Sequence, residues 1–124
     1  MGNWRLGKKG IVFYKKVIEL NPECAEAYTN LGNILAQLDK LSEAKYYINK
    51  AIELAPHLDH AQHNLGVYLG KCGEREKAVK VFEKLIELKP KFALAYKNAG
   101  IIYYEMASYN KALEKFRAIF KFYS

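Results

Sequence analysis

The most constraining feature of this sequence is a repeat with a period of 34 residues. Three segments, at residues 21–32, 55–66 and 89–100, align with one another without a gap. Five columns carry the same residue in every period: Pro22, Pro56 and Pro90; Ala27, Ala61 and Ala95; Asn30, Asn64 and Asn98; Gly32, Gly66 and Gly100; and Ala44, Ala78 and Ala112. A repeat of this length indicates one supersecondary unit per period, with neighbouring units stacked along the chain.

Each period contains two stretches in which apolar residues have helical spacing. Tyr28, Leu31 and Leu35 lie three and four residues apart in the first full period, as on one face of a helix. A second stretch runs to Leu54, and the repeated proline two residues later prevents it from continuing. We therefore predict first helices near 25–38, 59–72 and 93–106, and second helices near 42–54, 75–88 and 109–122, with Ser108 as the N-cap of the last.

A glycine recurs inside each predicted first helix. Glycine costs roughly 1 kcal/mol relative to alanine there, so a packing requirement must favour the absent side chain. Gly32, Gly66 and Gly100 are therefore predicted to lie where a second helix approaches closely. The residues predicted to face them are the alanines of the last repeated column: Ala44, Ala78 and Ala112.

The repeat resembles the tetratricopeptide repeat in its period, its aromatic-x-x-Leu-Gly start, its central alanine and its closing proline. Tyr28, Leu31 and Gly32 form the start of the first unit, and Phe82 and Phe116 stand four residues after the alanine in later units. This resemblance implies an all-α fold, a right-handed α-solenoid of antiparallel helix pairs, as a single domain over residues 1–124. The implied units are a half-repeat with only a second helix at 7–24, repeat 1 at 25–58, repeat 2 at 59–92 and repeat 3 at 93–124.

In the tetratricopeptide repeat family, the first helices line a concave groove that binds other proteins. The resemblance therefore implies a protein–protein interaction scaffold that holds an extended peptide or partner segment in this groove. The residues expected to face the bound segment come from the inner face of the three first helices: Thr29, Asn30, Asn33, His60, His63, Asn64, Lys97, Asn98, Ile101 and Tyr104.

The repeated asparagine column, Asn30, Asn64 and Asn98, is open to two interpretations. A carboxamide has two donor hydrogens and an acceptor oxygen, so a row of them can bind a peptide backbone and ignore its side chains. Such a row is similar to the asparagine ladder in the superhelical repeats of O-linked N-acetylglucosamine transferase. The same residues are equally suited to packing between neighbouring units.

The residues at matching positions argue against one ligand class of the family. The carboxylate clamp for the C-terminal EEVD of heat-shock chaperones needs Lys and Asn on one first helix, Asn on the next, and Lys with Arg on the third. The matching positions here hold, in order, Thr29 and Asn33, Asn64, and Leu94 and Asn98. Because three cations are absent, we predict no chaperone EEVD clamp.

The chain has a formal net charge of +7, from 20 Lys and Arg against 13 Asp and Glu, which raises nucleic acid as a partner. On the predicted second helices, however, lysines alternate with glutamates, as on a solvated outer face with helical ion pairs. We therefore predict no nucleic-acid partner, with RNA as a less favoured alternative. Lys97, His60 and His63 give the groove a mild preference for an acidic ligand.

No motif in the sequence indicates catalysis, and we predict that the protein is not an enzyme. The sequence contains no Gly-rich phosphate loop, no HExxH and no nucleophile beside a base. His60 and His63 have a spacing that can share a metal ion, but a third ligand is not evident. We therefore predict neither a metal nor a cofactor.

The sequence also predicts a location. No apolar run approaches the roughly 18 residues that a membrane span needs, so we predict no membrane partner. Cys24 and Cys72 lack CxxC spacing and suit a reducing compartment as free thiols. Together with the lack of a signal-peptide pattern, this predicts a cytoplasmic protein.

The two ends of the chain carry apolar residues that favour an alternative function. Phe13 lies near one end, and Ile119, Phe120 and Phe122 lie near the other. Terminal repeats normally have a polar outer face. The alternative is a structural module whose ends form a homo-oligomer or continue a longer repeat array, from which this chain is expected to be cut inside a repeat.

Overall fold

The computed structural model of this protein describes residues 2–122, with side chains from residue 5 onwards. Every regular element in this part of the chain is an α-helix. The helices are α1 (Gly2–Leu20), α2 (Ala25–Gln37), α3 (Leu41–Leu54), α4 (Asp59–Lys71), α5 (Arg75–Leu88), α6 (Ala93–Glu105) and α7 (Tyr109–Lys121). The prediction of an all-α solenoid is confirmed, with α2, α4 and α6 as first helices and α3, α5 and α7 as second helices.

The helices pack first into pairs and then into a stack. α2 packs on α3, α4 on α5 and α6 on α7, and each pair buries the apolar faces of both helices. The largest side chains that are fully buried in this way are Leu31, Leu35, Ile48 and Phe82. Each second helix also contacts the next first helix, and neighbouring first helices contact each other. As a result, α2, α4 and α6 lie side by side and form one continuous surface.

The repeated glycines lie at close helix crossings, as predicted, but their neighbours are not the alanines. A Cβ atom on Gly66 would lie 2.6 Å from Cζ of Phe82, and one on Gly32 would lie 2.8 Å from Cγ1 of Ile48. At Gly100 the nearest atom is Cε1 of Phe116, at 2.7 Å. The close contact therefore falls on the residue four positions after each alanine. The alanines themselves are buried in the core.

Two residues after each first helix ends, one residue has a left-handed backbone conformation. The φ angle is 59° at Asp39, 82° at Gly73 and 62° at Ala107. The next residue then folds its N–H back onto the helix, and Ser108 N–H donates to the carbonyl of Tyr103 at 2.8 Å. These bonds satisfy carbonyl groups at the helix ends, as in the Schellman motif. Ser108 is the N-cap residue of α7, as predicted, but its side chain makes no capping hydrogen bond.

Helix α1 begins at Gly2, five residues before the predicted start at residue 7. Gly7 is buried, and a Cβ atom there would lie 3.1 Å from Cδ1 of Leu38. Gly10 has a similar relation to Ile34 of α2, at 2.7 Å. These glycines therefore allow α1 to approach α2 closely. They do not mark the start of the helix.

Candidate functional site

Two hydrogen bonds from the asparagine column join neighbouring first helices. Nδ2 of Asn64 on α4 donates to the backbone carbonyl of Thr29 on α2, at 2.9 Å. Nδ2 of Asn98 on α6 lies 2.7 Å from Nε2 of His63 on α4. Thr29 and His63 occupy the same column of the repeat, so each asparagine reaches the same position in the preceding unit.

The three residues of the asparagine column differ in how far they are buried. Asn64 is 5% exposed, and its amide nitrogen already has a buried partner. Asn98 is partly buried, whereas Asn30 on α2 is exposed. The two later asparagines therefore hold the units in register. Binding of a ligand by this column stays a prediction, and Asn30 has the most accessible amide for it.

His63 lies in a buried pocket between two aromatic rings. Its ring centroid is 5.7 Å from that of Phe82 and 5.7 Å from that of Phe92. Burial lowers the pKa of His63. A neutral imidazole can accept the hydrogen bond from Asn98 at Nε2, so the packing and this hydrogen bond favour the same charge state.

His60, one turn before His63, lies on the surface. Its ring makes an edge contact with Phe92, with 5.6 Å between the centroids. The two histidines therefore differ in environment, although the sequence places them on the same helix face. Within residues 5–122, no three His, Cys, Asp or Glu side chains come together in a way that could hold a metal ion.

The other predicted site residues also divide into engaged and accessible side chains. The hydroxyl of Thr29 is buried and donates to the carbonyl of Ala25 at 2.8 Å. Oδ1 of Asn33 accepts a hydrogen bond from Gln37 at 3.4 Å. The accessible side chains lie on α6: Lys97, Ile101 and Tyr104 are all exposed.

A depression of about 310 Å³ lies between α4 and α6. Its lining residues are Val67, Gly70, Lys71, Phe82, Asn98, Ile101, Ile102 and Glu105. Phe82 and Ile102 are buried and form the bottom, whereas Ile101 is exposed. The result is an apolar hollow with an amide and two opposite charges at its edge, a combination that is typical of binding sites.

Of the residues that line this depression, the predicted site includes only Asn98 and Ile101, and no sequence signal was used for Gly70, Phe82 and Ile102. One signal was available. Gly70 is a second glycine within a helix, and the same column holds Ala36 and Tyr104 in the other units. A glycine at this position leaves space above Ile102, whose Cδ1 would lie 3.4 Å from an added Cβ atom.

The charges at the edge of the depression are paired across units. Nζ of Lys71 lies 3.1 Å from Oδ1 of Asp39, and Nε of Arg75 lies 3.6 Å from Oε1 of Glu105. Because these pairs are largely exposed, each contributes little to stability. They do, however, hold charged groups at fixed places around the hollow.

Comparison with known proteins identifies the family. A sequence profile of the tetratricopeptide repeat matches residues 25–58, and a second profile of this repeat matches residues 59–92. Together they span more than half of the chain. The chain belongs to the tetratricopeptide repeat family. It is therefore, in general terms, a protein-interaction scaffold, and the family is not generally one of enzymes.

Several solved structures are similar to this tetratricopeptide repeat chain. A crystal structure of MamA is 30% identical, with a TM-score of 0.77, over 94% of this chain and 68% of MamA. MamA residues 41-end from Desulfovibrio magneticus RS-1 are 19% identical, with a TM-score of 0.81, over 98% and 68% of the two chains. A tetratricopeptide repeat protein from Parabacteroides merdae ATCC 43184 is 20% identical, with a TM-score of 0.84, over 95% and 46%.

The similarities to MamA from Desulfovibrio magneticus and to the Parabacteroides merdae protein, at 19% and 20% identity, show the fold alone. A search of the curated proteins finds no match. In the described part of the chain, no helix of the tetratricopeptide repeats or of α1 is both long enough and apolar enough to span a bilayer.

A polar cluster joins the last helices of this repeat protein. The hydroxyl of Tyr103 donates to Oε2 of Glu83 at 2.7 Å, and Nζ of Lys115 lies 2.7 Å from Oε1. Burial and the hydrogen bond to Glu83 raise the pKa of Tyr103 to about 12. Burial opposes ionisation of Glu83, but the hydrogen bonds from Lys115 and Tyr103 outweigh it and lower its pKa. The cluster therefore contains a carboxylate with both oxygens engaged, which links α5 to α6 and α7.

Proposed function

We propose that this chain binds an extended segment of a partner protein along the surface of α2, α4 and α6. One bulky apolar side chain of that segment enters the depression between α4 and α6. The observation that carries this proposal is the depression itself, which combines a buried apolar bottom at Phe82 and Ile102 with exposed Ile101 beside it.

The exposed side chains around the depression support the same function. Ile101 is 40% exposed and Tyr104, three residues later on α6, is 64% exposed. Burying one large apolar side chain contributes about 1.5–3 kcal/mol, so a single anchor is enough to fix the position of a flexible segment. Lys97 adds a cation near the same helix face and favours acidic residues in the bound segment.

The predicted site residues take two roles in this proposal. Ile101, Tyr104, Lys97, His60, Asn30 and Asn33 contact the bound segment. Asn64 and Asn98 hold the three helices at the spacing that the segment requires, through their bonds to the carbonyl of Thr29 and to the ring of His63 in the preceding units. The role is binding, and the proposal requires no catalytic step, metal or cofactor.

The test uses peptides selected against the chain from a random library displayed on phage, then synthesised and labelled for fluorescence anisotropy. We expect Ile101→Ala and Tyr104→Ala to weaken the affinity roughly tenfold, about 1.4 kcal/mol each. Gly70→Leu is expected to weaken it as well, because the added side chain fills the depression. Tyr46→Ala, which removes an exposed ring from α3, is the matched control and leaves the affinity unchanged.

Two results contradict the proposal. One is a library that yields no peptide that binds the folded chain. The other is a set of peptides that bind Ile101→Ala and Gly70→Leu as tightly as the natural chain. Thermal melts of each variant establish that the loss of affinity does not come from unfolding.

The second candidate function is a structural module that forms a homo-oligomer or continues a longer array through its ends. It is favoured by the exposure of Phe13 on α1 and Phe120 on α7. Ile119 and Phe122 are only partly exposed, and the ring of Phe122 contacts Tyr96 with 5.1 Å between the centroids. Sedimentation equilibrium tests self-assembly, since a mass that stays monomeric at high concentration contradicts it.

We also propose a cytoplasmic location, which the free cysteines Cys24 and Cys72 support. A fluorescent fusion followed by cell fractionation tests this, and recovery of the fusion outside the cytoplasm contradicts it.

A further inference from the structure

Helix α1 has one face packed against α2 and a second apolar face that is accessible. The second face is formed by Leu6, Phe13 and Leu20, which lie seven residues apart, together with Val17. We refer to these four residues as the α1 stripe. Phe13 is 60% exposed and Leu20 is 83% exposed. In the described part of the chain, α1 packs only against α2.

The same columns on the other second helices show what covers such a stripe. The counterparts of Val17 are Ala51 on α3 and Leu85 on α5, and both are buried beneath their first helices. The counterpart of Phe13 is Tyr47, whose ring lies 6.1 Å from the ring of Tyr28 on α2. A helix therefore occupies the equivalent surface in each complete unit.

The charge of α1 differs from that of the internal second helices. α1 carries five basic residues and one acidic residue. α3 carries two of each, and α5 carries four basic and three acidic residues. Lys9 and Lys16 lie directly beside the α1 stripe, because they follow Leu6 and Phe13 by three residues on the helix. Both lysines lie on the same side of the stripe, and an apolar stripe bordered by cations is complementary to an amphipathic helix with acidic residues beside its apolar face.

We propose that the α1 stripe is a docking site for an amphipathic helix of a partner protein that carries glutamate or aspartate along its flanks. The partner helix lies on α1 as α2 lies on α3, and it completes the half-repeat as a first helix. Its apolar side chains bury Phe13 and Val17, and its acidic side chains pair with Lys9 and Lys16. This site is separate from the groove on α2, α4 and α6.

The charges argue against a second copy of the chain as the occupant. α7 also carries an accessible apolar row, with Leu113 and Phe120 exposed, but it has four basic residues and one acidic residue. Stacking α1 on α1, α1 on α7 or α7 on α7 would place two basic helices side by side. Like charges at an interface oppose association, so the complementary occupant is an acidic helix from a different protein.

The probe for this proposal is a synthetic amphipathic peptide of about three heptads with leucine and alanine on one face and glutamate along both flanks. Its twin carries lysine in place of every glutamate. Binding to the natural chain is measured by fluorescence anisotropy at two salt concentrations. We expect the acidic peptide to bind with an affinity that falls as salt rises, and the basic twin not to bind.

Matched variants locate the site, since the repeat supplies equivalent residues elsewhere. Phe13→Ala is expected to weaken binding of the acidic peptide at least roughly tenfold. The control is Leu88→Ala, which removes an apolar side chain that is 67% exposed on α5, where α4 already covers the helix. Lys16→Glu is expected to weaken binding, whereas Lys84→Glu, in the same column of α5, leaves it unchanged. All four positions are exposed, so the variants keep the fold.

Five outcomes overturn the proposal. The acidic peptide fails to bind, or the basic twin binds equally well. Ile101→Ala weakens binding of the acidic peptide while Phe13→Ala does not, which assigns the peptide to the groove. The chain forms a concentration-dependent dimer that Phe13→Ala abolishes, which makes a second copy the occupant. Finally, vesicles with anionic lipid compete for the α1 stripe and bind the natural chain but not Phe13→Ala, which makes a lipid surface the occupant.

Discussion

The side-chain amide of Asn64 donates to the backbone carbonyl of Thr29 across 2.9 Å, and this buried bond joins α4 to α2. A buried amide without a partner is unfavourable, so this bond satisfies the Asn64 side chain and contributes to the stacking of the first two units. Asn98 makes a comparable bond to His63 one unit later. The repeated asparagine is thus a packing residue wherever a unit precedes it. It is accessible at Asn30, the first member of the column.

The first prediction concerns the stability contributed by this column. Asn64→Ala is expected to lower the free energy of unfolding by about 1 kcal/mol, because it removes the buried hydrogen bond that joins α4 to α2. Asn30→Ala is expected to change it by less than about 0.5 kcal/mol, since Asn30 is an exposed side chain. Equilibrium unfolding in urea measures both values. Equal effects of the two substitutions would contradict the packing role of Asn64.

The same pair of variants bears on the groove. If Asn30→Ala weakens peptide binding while the fold is unchanged, the exposed amide contacts the ligand directly. Loss of binding in Asn64→Ala is informative only below its melting transition, because this variant changes the helix spacing as well.

The fold of this chain could be predicted from the sequence in considerable detail. The period of 34 residues placed six helices within one residue of their observed ends, from α2 to α7. The prediction succeeded because every unit contains both the residues that form turns and the apolar residues at helical spacing. The helix ends found in one unit therefore confirm those in the others. Helix α1 was less well predicted, because its first five residues precede the half-repeat that the alignment gave; Gly7 and Gly10 lie inside the helix and allow close packing on α2.

For the candidate site, the sequence predicted which face of the first helices is accessible, but not the arrangement of the side chains on it. The sequence placed Ile101 and Tyr104 on the accessible face, where both are exposed. It could not show that His63 and Asn64 turn into the joints between units, because this depends on the angle at which neighbouring units stack. The depression was missed for a similar reason. Its lining includes the buried core residues Phe82 and Ile102, and Gly70 leaves space above Ile102 because it has no side chain.

The second prediction separates two glycines of α4. Gly66→Ala is expected to destabilise the protein by about 1–3 kcal/mol, because the added Cβ atom would lie 2.6 Å from Cζ of Phe82. Gly70→Ala is expected to stabilise it by about 0.5–1 kcal/mol, since its Cβ atom meets Ile102 at an ordinary 3.4 Å and alanine favours the helix. Urea denaturation measures the difference. A destabilised Gly70→Ala would show that the α4–α6 spacing differs from the one described.

The third prediction concerns the pH dependence of stability. Burial lowers the pKa of His63 below the ordinary value of 6.5. Above pH 6.5 the ring of His63 is mostly neutral in both the folded and the unfolded chain, so it does not lower the stability there. As pH falls below this value, the unfolded chain takes up a proton that the folded chain resists, and the stability decreases until the pKa of the folded state is passed. Urea midpoints measured from pH 7.5 downwards should show this decrease.

The variant His63→Gln is expected to reduce the pH dependence. His57→Gln removes an imidazole from an exposed turn and serves as the control, in which the decrease persists. A decrease that is unaltered in His63→Gln would assign the effect to other groups. A fall in pH also weakens the contact between α4 and α6, because Nε2 of His63, once protonated, can no longer accept the hydrogen bond from Asn98.

The fourth prediction exploits the turns after the first helices. Ala107 has a φ angle of 62°, in the region that costs most residues about 1 kcal/mol but costs glycine little. Ala107→Gly is therefore expected to raise the free energy of unfolding by up to about 1 kcal/mol, even though glycine is more flexible in the unfolded chain. Gly73 occupies the same column, with a φ angle of 82° and no atom within 4 Å of an added Cβ. Gly73→Ala is thus a reciprocal control that should destabilise by a similar amount through the backbone alone. If both substitutions shift the urea midpoint in the same direction, backbone conformation is not what governs these turns.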